Sequence, residues 1–298
     1  MSADIPETEL YQMVAQPYDI KQTEVDSKKP PVLVLALDGW VEAAGVTRAA
    51  YNQIKKVSEM QLVTRFNTNR LLDHRARRPT MRLVDGVVER LDWPAIELHH
   101  LQIDNHRPLL LLHGPEPDHE WREFAQNVVG IALGFQTELV VGLGSYPAAV
   151  PHTRSTRLAC TASSPKLIEK LDFVTASLEI PAGIQASIEV AAAAAGIPAI
   201  GIWAQVPHYL SATGFPPATM ALLEGLSELT EVDINLGSLV EKSLATRSRL
   251  DDLIVQNPEH VTMLEKLEEA YDNLHDSRIQ LPSGDDLAEE LERFLRDQ

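Results

Sequence analysis

The stretch that decides the fold is "VLVLALD", residues 32–38, an unbroken run of apolar and mostly branched residues that ends in an aspartate. Such a run is typical of a strand covered on both faces, as in parallel sheets flanked by helices. The stretch that follows, residues 39–57, places Val46, Ala50 and Ile54 at helical spacing. Together the two stretches predict a strand, turn and helix unit of an α/β protein.

The rest of the chain repeats this alternation around a more antiparallel block. Three later apolar runs also resemble buried strands, and they lie at residues 108–114, 137–144 and 197–204. A helix is predicted at 117–133, a hairpin at 81–91 with an Asp85-Gly86 turn, and an alternating strand at 95–103. The pattern predicts a Rossmann-like α/β fold, with a mostly parallel sheet and helices on both faces.

Three regions are expected along the chain: an N-terminal arm at residues 1–30, an α/β core domain at 31–235, and an acidic C-terminal helical extension at 236–298. From about residue 216 the pattern is helical, and it is interrupted at Gly237, at Pro258 and at 280–286. Residues 241–298 hold 15 acidic and 7 basic residues. The extension therefore carries nearly half of the net charge.

Composition restricts partners and location. A formal charge of −17 argues against binding to nucleic acid or to an anionic membrane. The single cysteine, Cys160, excludes an internal disulfide and indicates a reducing compartment. The N-terminus lacks a basic region followed by an apolar one, and Gly196 and Pro198 interrupt the most apolar run. We expect a cytoplasmic protein.

Familiar catalytic and cofactor motifs are missing from the sequence. There is no phosphate loop, no H-E-x-x-H pair and no G-x-S-x-G elbow. Gly142 and Gly144 form a G-x-G, but Pro147 stands where a dinucleotide fingerprint needs glycine. His99 and His100 are neighbours on a predicted strand, so their side chains face opposite ways and cannot easily share a metal. We therefore expect no cofactor and no metal.

Rigid polar corners at the predicted strand ends supply the candidate site. Ligands of open α/β sheets bind beyond the carboxyl ends of the strands, and arginines suit phosphate or carboxylate groups. The candidate ligand or interface residues are Asp38, Trp40, Arg75, Arg78, Glu116, Trp121, His152, Arg154, His208 and Tyr209. The alternative is that these residues form ordinary ion pairs, turns or subunit contacts. No catalytic residue can be assigned among them.

The corner "GPEPDHEW", residues 114–121, is the most rigid of these because two prolines fix its backbone. One hypothesis makes Glu116 a structural joint, with its carboxylate at the start of a helix near Asp118 and the Trp121 ring packed over the corner. The other makes Glu116 a general base or ligand carboxylate that reaches Arg78 or Arg154.

At these corners the sequence resembles the proteasome assembly chaperone 2 family, in particular its actinobacterial members. The matching pieces occur in the family's order over about residues 30–220, and they are "PVLVLALDGWVEAAG", "DHRARRP", "LDWP", "GPEPDHEW", "VPHTR" and "WAQVPHYL". One departure is "IPAG" at 180–183, where many relatives carry Gly-Pro-Thr-Gly. The chain also ends in "RFLRDQ", whereas some proteasome-binding relatives end in a hydrophobic-Tyr-X tail.

The resemblance implies a fold similar to nucleoside phosphorylases and hydrolases, assembled as a homo-oligomer. The leading hypothesis is a non-enzymatic assembly or interaction protein that binds itself, as a trimer, and another protein complex. Its aromatic surface would come from four tryptophans, Trp40, Trp93, Trp121 and Trp203. The alternative is an enzyme or sensor for a small anionic or nucleoside-like ligand at the strand ends.

Overall fold

The computed structural model describes residues 5–16, 29–103, 106–169 and 171–276. Its strands are β1 (Tyr11–Met13), β2 (Val32–Asp38), β3 (Glu59–Phe66), β4 (Thr80–Val84), β5 (Val87–Asp92), β6 (Glu97–Gln102), β7 (Leu109–Pro115), β8 (Leu139–Ala148), β9 (Leu158–Ala162) and β10 (Ala199–Pro207). Its helices are α1 (Val46–Val57), α2 (Thr68–Leu71), α3 (Trp121–Gly134), α4 (Ile184–Ala194), α5 (Pro216–Thr230), α6 (Leu239–Ile254) and α7 (Pro258–Asp276).

One 8-stranded sheet, in the order β1-β3-β6-β7-β2-β8-β10-β9, organises the chain. Its four central strands, β7, β2, β8 and β10, run parallel to one another. Antiparallel strands extend the sheet on both sides: β6, β3 and β1 on one, β9 on the other. The predicted α/β class is confirmed, with the parallel pairing concentrated in the centre of a mixed sheet.

Strand β2 lies in the middle of the sheet because both of its faces are apolar. Val32, Val34 and Ala36 belong to a core cluster shared with α1 and α5. The alternate residues of the same strand, such as Leu33 and Leu35, belong to a second cluster shared with α3 and α4. A strand whose successive side chains point to opposite faces thus supports helices on both sides, as the sequence predicts.

The predicted hairpin is confirmed and stands apart from the main sheet. Strands β4 and β5 form a separate 2-stranded sheet, and every residue in them is exposed. Asp85 and Gly86 form the turn with φ values of 48° and 81°. A two-residue hairpin loop with a type I′ turn requires positive φ at both turn residues.

Helix α3 begins at Trp121, so the expected start near Asp118 is wrong. The backbone N–H groups of Asp118 and His119 instead donate to the Leu71 carbonyl, at 2.7 and 3.1 Å. These bonds tie the residues to the end of α2 and leave Glu120 at a φ of 56°. A helix cannot include a residue in that conformation, so it starts one position later.

The C-terminal part is helical from Pro216, as predicted, and Pro258 opens α7. Helix α6 packs against α5, and α7 contacts α6. The predicted interruption at 280–286 and the chain end "RFLRDQ" lie outside the described residues. In the predicted N-terminal arm, Tyr11–Met13 pairs with β3. Over the described ranges, no helix combines the length and the apolar character needed to cross a bilayer.

Candidate functional site

Glu116 sits where β7 ends, and its side chain is 5% exposed. Its Oε1 accepts a hydrogen bond of 2.6 Å from the backbone N–H of Ile184, the first residue of α4. Its own N–H donates to the carbonyl of Asp38 at 3.0 Å. The carboxylate therefore binds the positive end of a helix, as a cap does. The helix is α4, 68 residues further along the chain, rather than the expected α3.

Two tryptophans flank this joint. The Trp121 ring N–H donates to the Pro117 carbonyl at 2.6 Å, so the ring lies over the corner as expected. Trp40 is 57% exposed, and its ring edge lies beside Gly183, where an added Cβ would be in ordinary van der Waals contact with it at 3.7 Å. The same Cβ would lie 3.4 Å from Glu116 Oε1. Both groups therefore border the start of α4.

Asp38, at the end of β2, is part of the turn into α1. Its carboxylate binds Arg48 at 2.6 Å. Glu42 caps α1 by accepting a 2.8 Å bond from the Thr47 N–H, and burial raises the pKa of this carboxyl. Buried Ser145 on β8 both donates to and accepts from the backbone of the same turn. The polar groups of this strand end are thus engaged in fixing the turn.

His152 follows β8 and is fully buried. Its Nδ1 lies 2.8 Å from the Tyr209 hydroxyl, and its Nε2 lies 3.2 Å from Asp251 Oδ1 on α6. The Tyr209 hydroxyl also accepts the backbone N–H of His152 at 2.9 Å. Burial raises the pKa of Tyr209 to about 12 and lowers that of His152. The corners after β8 and β10 therefore converge, and α6 covers them.

Arg154 binds α7, which extends the cover that α6 forms over these strand ends. Its guanidinium binds Asp272 at 2.7 Å and Glu268 at 3.2 Å. His208, after β10, lines one side of an open groove whose other side is α7, including Met263. The predicted anion-binding arginine is thus paired with carboxylates of the chain itself.

The basic loop between α2 and β4 lies elsewhere. Arg77 binds Asp118 at 3.2 Å, which ties the loop to the Glu116 corner. Arg75 and Arg78 are exposed. Within the described part of the chain, neither forms an ion pair with Glu116, which is bonded to α4 instead. The candidate site predicted beyond the strand ends is therefore divided in two. One part is a β2–β7 corner closed by α4, and the other is a β8–β10 corner closed by α6 and α7.

Sequence reasoning missed why β8 carries a G-x-G. A Cβ on Gly142 would lie 2.2 Å from the Gln185 side chain, and one on Gly144 would lie 2.3 Å from the Trp203 ring. The glycines make room for packing, and they hold no phosphate loop. Beneath α4, Gln185 and Thr161 both donate to the buried carboxyl of Glu189, whose pKa is raised by burial.

Sequence reasoning also missed a histidine pair across two strands. His99 and His113 have ring nitrogens 3.2 Å apart and ring centroids 5.0 Å apart. Burial lowers the pKa of both, that of His113 to about 4. His99 and His100 do face opposite sides of the sheet, but the partner of His99 comes from β7. His99 and His100 are both half-buried.

Acid is expected to loosen the α6 cover through His152. A folded-state pKa below the unfolded value near 6.5 means that its contribution is complete above that pH and is lost as the pH falls through the folded pKa. The charges facing the ring are Asp251, Glu268 and Arg247, and they offset burial only in part. The melting temperature of the wild type should therefore fall more between pH 7.5 and pH 5.5 than that of His152→Gln.

The control for this prediction is His119→Gln at an exposed histidine, which should keep the wild-type pH dependence. Equal slopes for the wild type and His152→Gln would contradict the assignment.

The fold and the closed strand ends define a class: a Rossmann-like α/β protein in which helices of the chain itself cover the polar corners of the sheet. A family model described as PAC2 family matches residues 36–254. This chain belongs to the PAC2 family, and the resemblance found in its motifs is confirmed.

Solved structures agree with this assignment. A protein of unknown function from Corynebacterium glutamicum is 26% identical, with a TM-score of 0.83 over 90% of this chain and 99% of the other. A proteasome-assembly chaperone homologue from Mycobacterium tuberculosis is 29% identical, with a TM-score of 0.73 over 79% and 99%. A PAC2 family protein from Streptomyces avermitilis is 31% identical, with a TM-score of 0.70 over 78% and 99%. No curated protein sequence matches the chain.

Proposed function

We propose that the protein is a cytoplasmic, non-enzymatic assembly protein, chaperone-like in its action, that works as a homo-oligomer. The observation that carries this proposal is the closure of the strand ends. Glu116, His152 and Arg154, three groups expected to meet a small ligand, are bonded to α4, α6 and α7. The similarity to the Mycobacterium tuberculosis protein described as a proteasome-assembly chaperone homologue supports the same proposal.

The surface proposed for assembly is the hairpin β4–β5. Its register pairs Met81 with Leu91 and Leu83 with Val88, and a bulge falls between Arg82 and Leu83. Without the bulge, Val88 and Leu91 would face opposite sides, because they are three positions apart. The bulge places Val88 opposite Leu83 and Leu91 opposite Met81. All four apolar side chains therefore lie on one face of the hairpin.

Among the residues that the structure describes, none covers this apolar face enough to bury it. Its four residues are Met81, Leu83, Val88 and Leu91, which are 52%, 53%, 54% and 44% exposed. A lone two-stranded hairpin is marginally stable in water, so a partner is needed to stabilise it.

The occupant we propose is a second copy of this chain. Two copies of charge −17 repel, so contact is favoured through a surface that is close to neutral or positive. The hairpin has nearly balanced charges, with Arg82 bound to Glu89 at 2.6 Å and Arg90 bound to Asp92 at 2.9 Å. Beside it the exposed loop arginines offer positive charge to an acidic neighbour. A head-to-tail contact of this kind forms a ring when its rotation closes, and we propose that it closes as the expected trimer.

The tryptophans contribute to this surface unequally. Trp40 and Trp93 are 57% and 54% exposed, and Trp93 packs edge-on against His74 at the base of the hairpin, with ring centroids 4.9 Å apart. Trp121 and Trp203 are half-buried and pack inside the molecule. We therefore assign Trp40 and Trp93 to the proposed surface and leave Trp121 and Trp203 out of it.

Assembly activity is tested with separately purified proteasome core subunits from the host species. Native gels and light scattering follow the appearance of the core particle with and without a stoichiometric amount of this protein. We expect faster assembly or a stable stoichiometric complex. An unchanged assembly time course together with the absence of a complex would refute a proteasomal role.

The alternative, a small-ligand enzyme or sensor, is tested by thermal shift with nucleotides, inorganic phosphate and dicarboxylates. A scaffold should show no concentration-dependent rise in melting temperature, whereas binding at 100 times Kd stabilises by about 2.7 kcal/mol. A saturable rise that is abolished by Arg75→Ala or Arg78→Ala would favour the alternative.

Glu116→Gln separates the two views of the corner. Glutamine keeps an acceptor oxygen for the Ile184 N–H, so we expect a loss of only about 0.5 to 1 kcal/mol in unfolding free energy and unchanged assembly. Glu116→Ala leaves that buried N–H without a partner and should cost about 1 to 3 kcal/mol. Urea denaturation measures both, with Glu228→Gln at an exposed helical position as the control. Unchanged stability in Glu116→Gln, combined with a tenfold loss of ligand affinity, would overturn the scaffold proposal.

A further inference from the structure

Three side chains that can ligate metals meet on the α1 face of the sheet. Glu97 and His99 are two positions apart on β6, and His113 on β7 is directly opposite Glu97 in the register. Residues related in these two ways share one face of a sheet. One ligand atom from each of the three lies within 4.8 Å of those from the other two.

We propose that Glu97, His99 and His113 bind a divalent transition-metal ion of the zinc class. The ring nitrogens of the two histidines are 3.2 Å apart. Two nitrogens that each lie 2.0–2.1 Å from a tetrahedral zinc ion are separated by about 3.3 Å. The imidazoles are therefore already at the spacing that such an ion requires, and the ion would replace the proton they share.

Glu97 is held so that one of its oxygens remains for the metal. Its Oε1 accepts a 3.0 Å hydrogen bond from Arg65, and its Oε2 lies 3.8 Å from His99 Nε2, the ring nitrogen that does not face His113. To bind an ion held between His99 Nδ1 and His113 Nε2, the glutamate side chain must rotate toward the Nδ1 edge of the His99 ring. Arg65 then acts as the outer partner that orients a ligating carboxylate, an arrangement common around protein metal sites.

Groups on α1 complete the surroundings of the proposed metal site. The Tyr51 hydroxyl lies 3.5 Å from His113 Nε2, in a place where it or a water molecule can take a fourth position. Lys55 lies over the Tyr51 ring, 5.9 Å from its centroid, and its charge opposes a cation in the site. Two imidazoles and one carboxylate suit zinc, copper or nickel rather than magnesium or calcium.

The proposal replaces the expectation that the chain binds no metal. It concerns a place different from the assembly surface and does not depend on it. A bound ion shared by β6, β7 and α1 would link the sheet to the first helix. Because the ion binds the folded chain, it would stabilise the folded state by mass action.

The test uses the tag-free, full-length chain after removal of metals with a chelator. Titration with Zn²⁺ by calorimetry should show one ion per chain with a Kd below about 10 µM, equivalent to about 7 kcal/mol of binding free energy. Co²⁺ should give the visible absorption bands of a tetrahedral site. Zn²⁺ should also raise the melting temperature, whereas Mg²⁺ at the same concentration should not.

Variants locate the ion. His99→Ala and His113→Ala should each weaken Zn²⁺ binding by about 100-fold or more, and Glu97→Gln by about 10- to 100-fold. The matched control is His100→Ala, the neighbour of His99 on the opposite face of β6, which should stay within about threefold of wild type. Absence of saturable Zn²⁺ and Co²⁺ binding to the folded wild type would overturn the proposal. An equal loss in His100→Ala would do so as well.

Discussion

Leu83→Asp combined with Val88→Asp should convert the protein into a 33.0 kDa monomer. The two residues face each other across the hairpin, and each is more than half exposed, so the core is unaffected. Two carboxylates in the middle of an apolar contact must lose their water there, which costs several kcal/mol in the assembled state and nothing in the monomer. Light scattering coupled to size-exclusion chromatography measures the mass over a wide concentration range.

The matched control adds the same two charges at exposed apolar positions elsewhere, Val190→Asp and Leu244→Asp on α4 and α6, which are 72% and 66% exposed. This control should keep the wild-type mass. Circular dichroism should show that both double variants are folded. A wild type that is already 33.0 kDa at all concentrations, or a hairpin variant that keeps the oligomer mass, would remove the proposed assembly surface.

The features that sequence alone predicted are those set by neighbours along the chain. The apolar run at residues 32–38 identified the central strand because both of its faces had to be covered. The Asp85-Gly86 pair identified a hairpin because few other residues accept positive φ at both turn positions. The exposure of that hairpin was not predictable, because an apolar alternation has the same appearance whether or not another layer covers it.

The candidate site was predicted less well because its contacts join distant parts of the chain. His152 and Asp251 are 99 positions apart, and Glu116 and Ile184 are 68 apart. The residue types at the strand ends were visible in the sequence, but their partners depend on where α4 and α6 pack. The sequence therefore indicated polar corners correctly and left open whether a ligand or the chain itself would satisfy them.

The histidine cluster shows the same limit in a sheet. His99 and His100 could be separated by strand alternation alone, since that rule is local. The contact of His99 with His113 depends on β6 and β7 being adjacent, antiparallel and in one particular register. A shift of one residue in that register would turn His113 to the other face.

Gly114→Ala should be strongly destabilising, and the reason lies in the corner at the end of β7. Gly114 has a φ of 132°, a region that side chains rarely adopt. A Cβ there would lie 2.3 Å from the carbonyl oxygen of Ala95 and 2.9 Å from the α carbon of Ile96. Both atoms belong to the backbone, so no side-chain rotation can relieve the contact.

We expect Gly114→Ala to lower the free energy of unfolding by about 4 kcal/mol, with about 1 to 3 from the strained φ and about 1 to 3 from overpacking. The control is Gly130→Ala in α3, where an added Cβ meets nothing within 4 Å and helix propensity should raise stability by about 0.5 to 1 kcal/mol. Urea denaturation of both variants checks the opposite signs. If Gly114→Ala stays within 1 kcal/mol of the wild type, the corner relaxes easily. The fixed direction of the Glu116 carboxylate toward α4 must then come from the capped helix rather than from the β7 backbone.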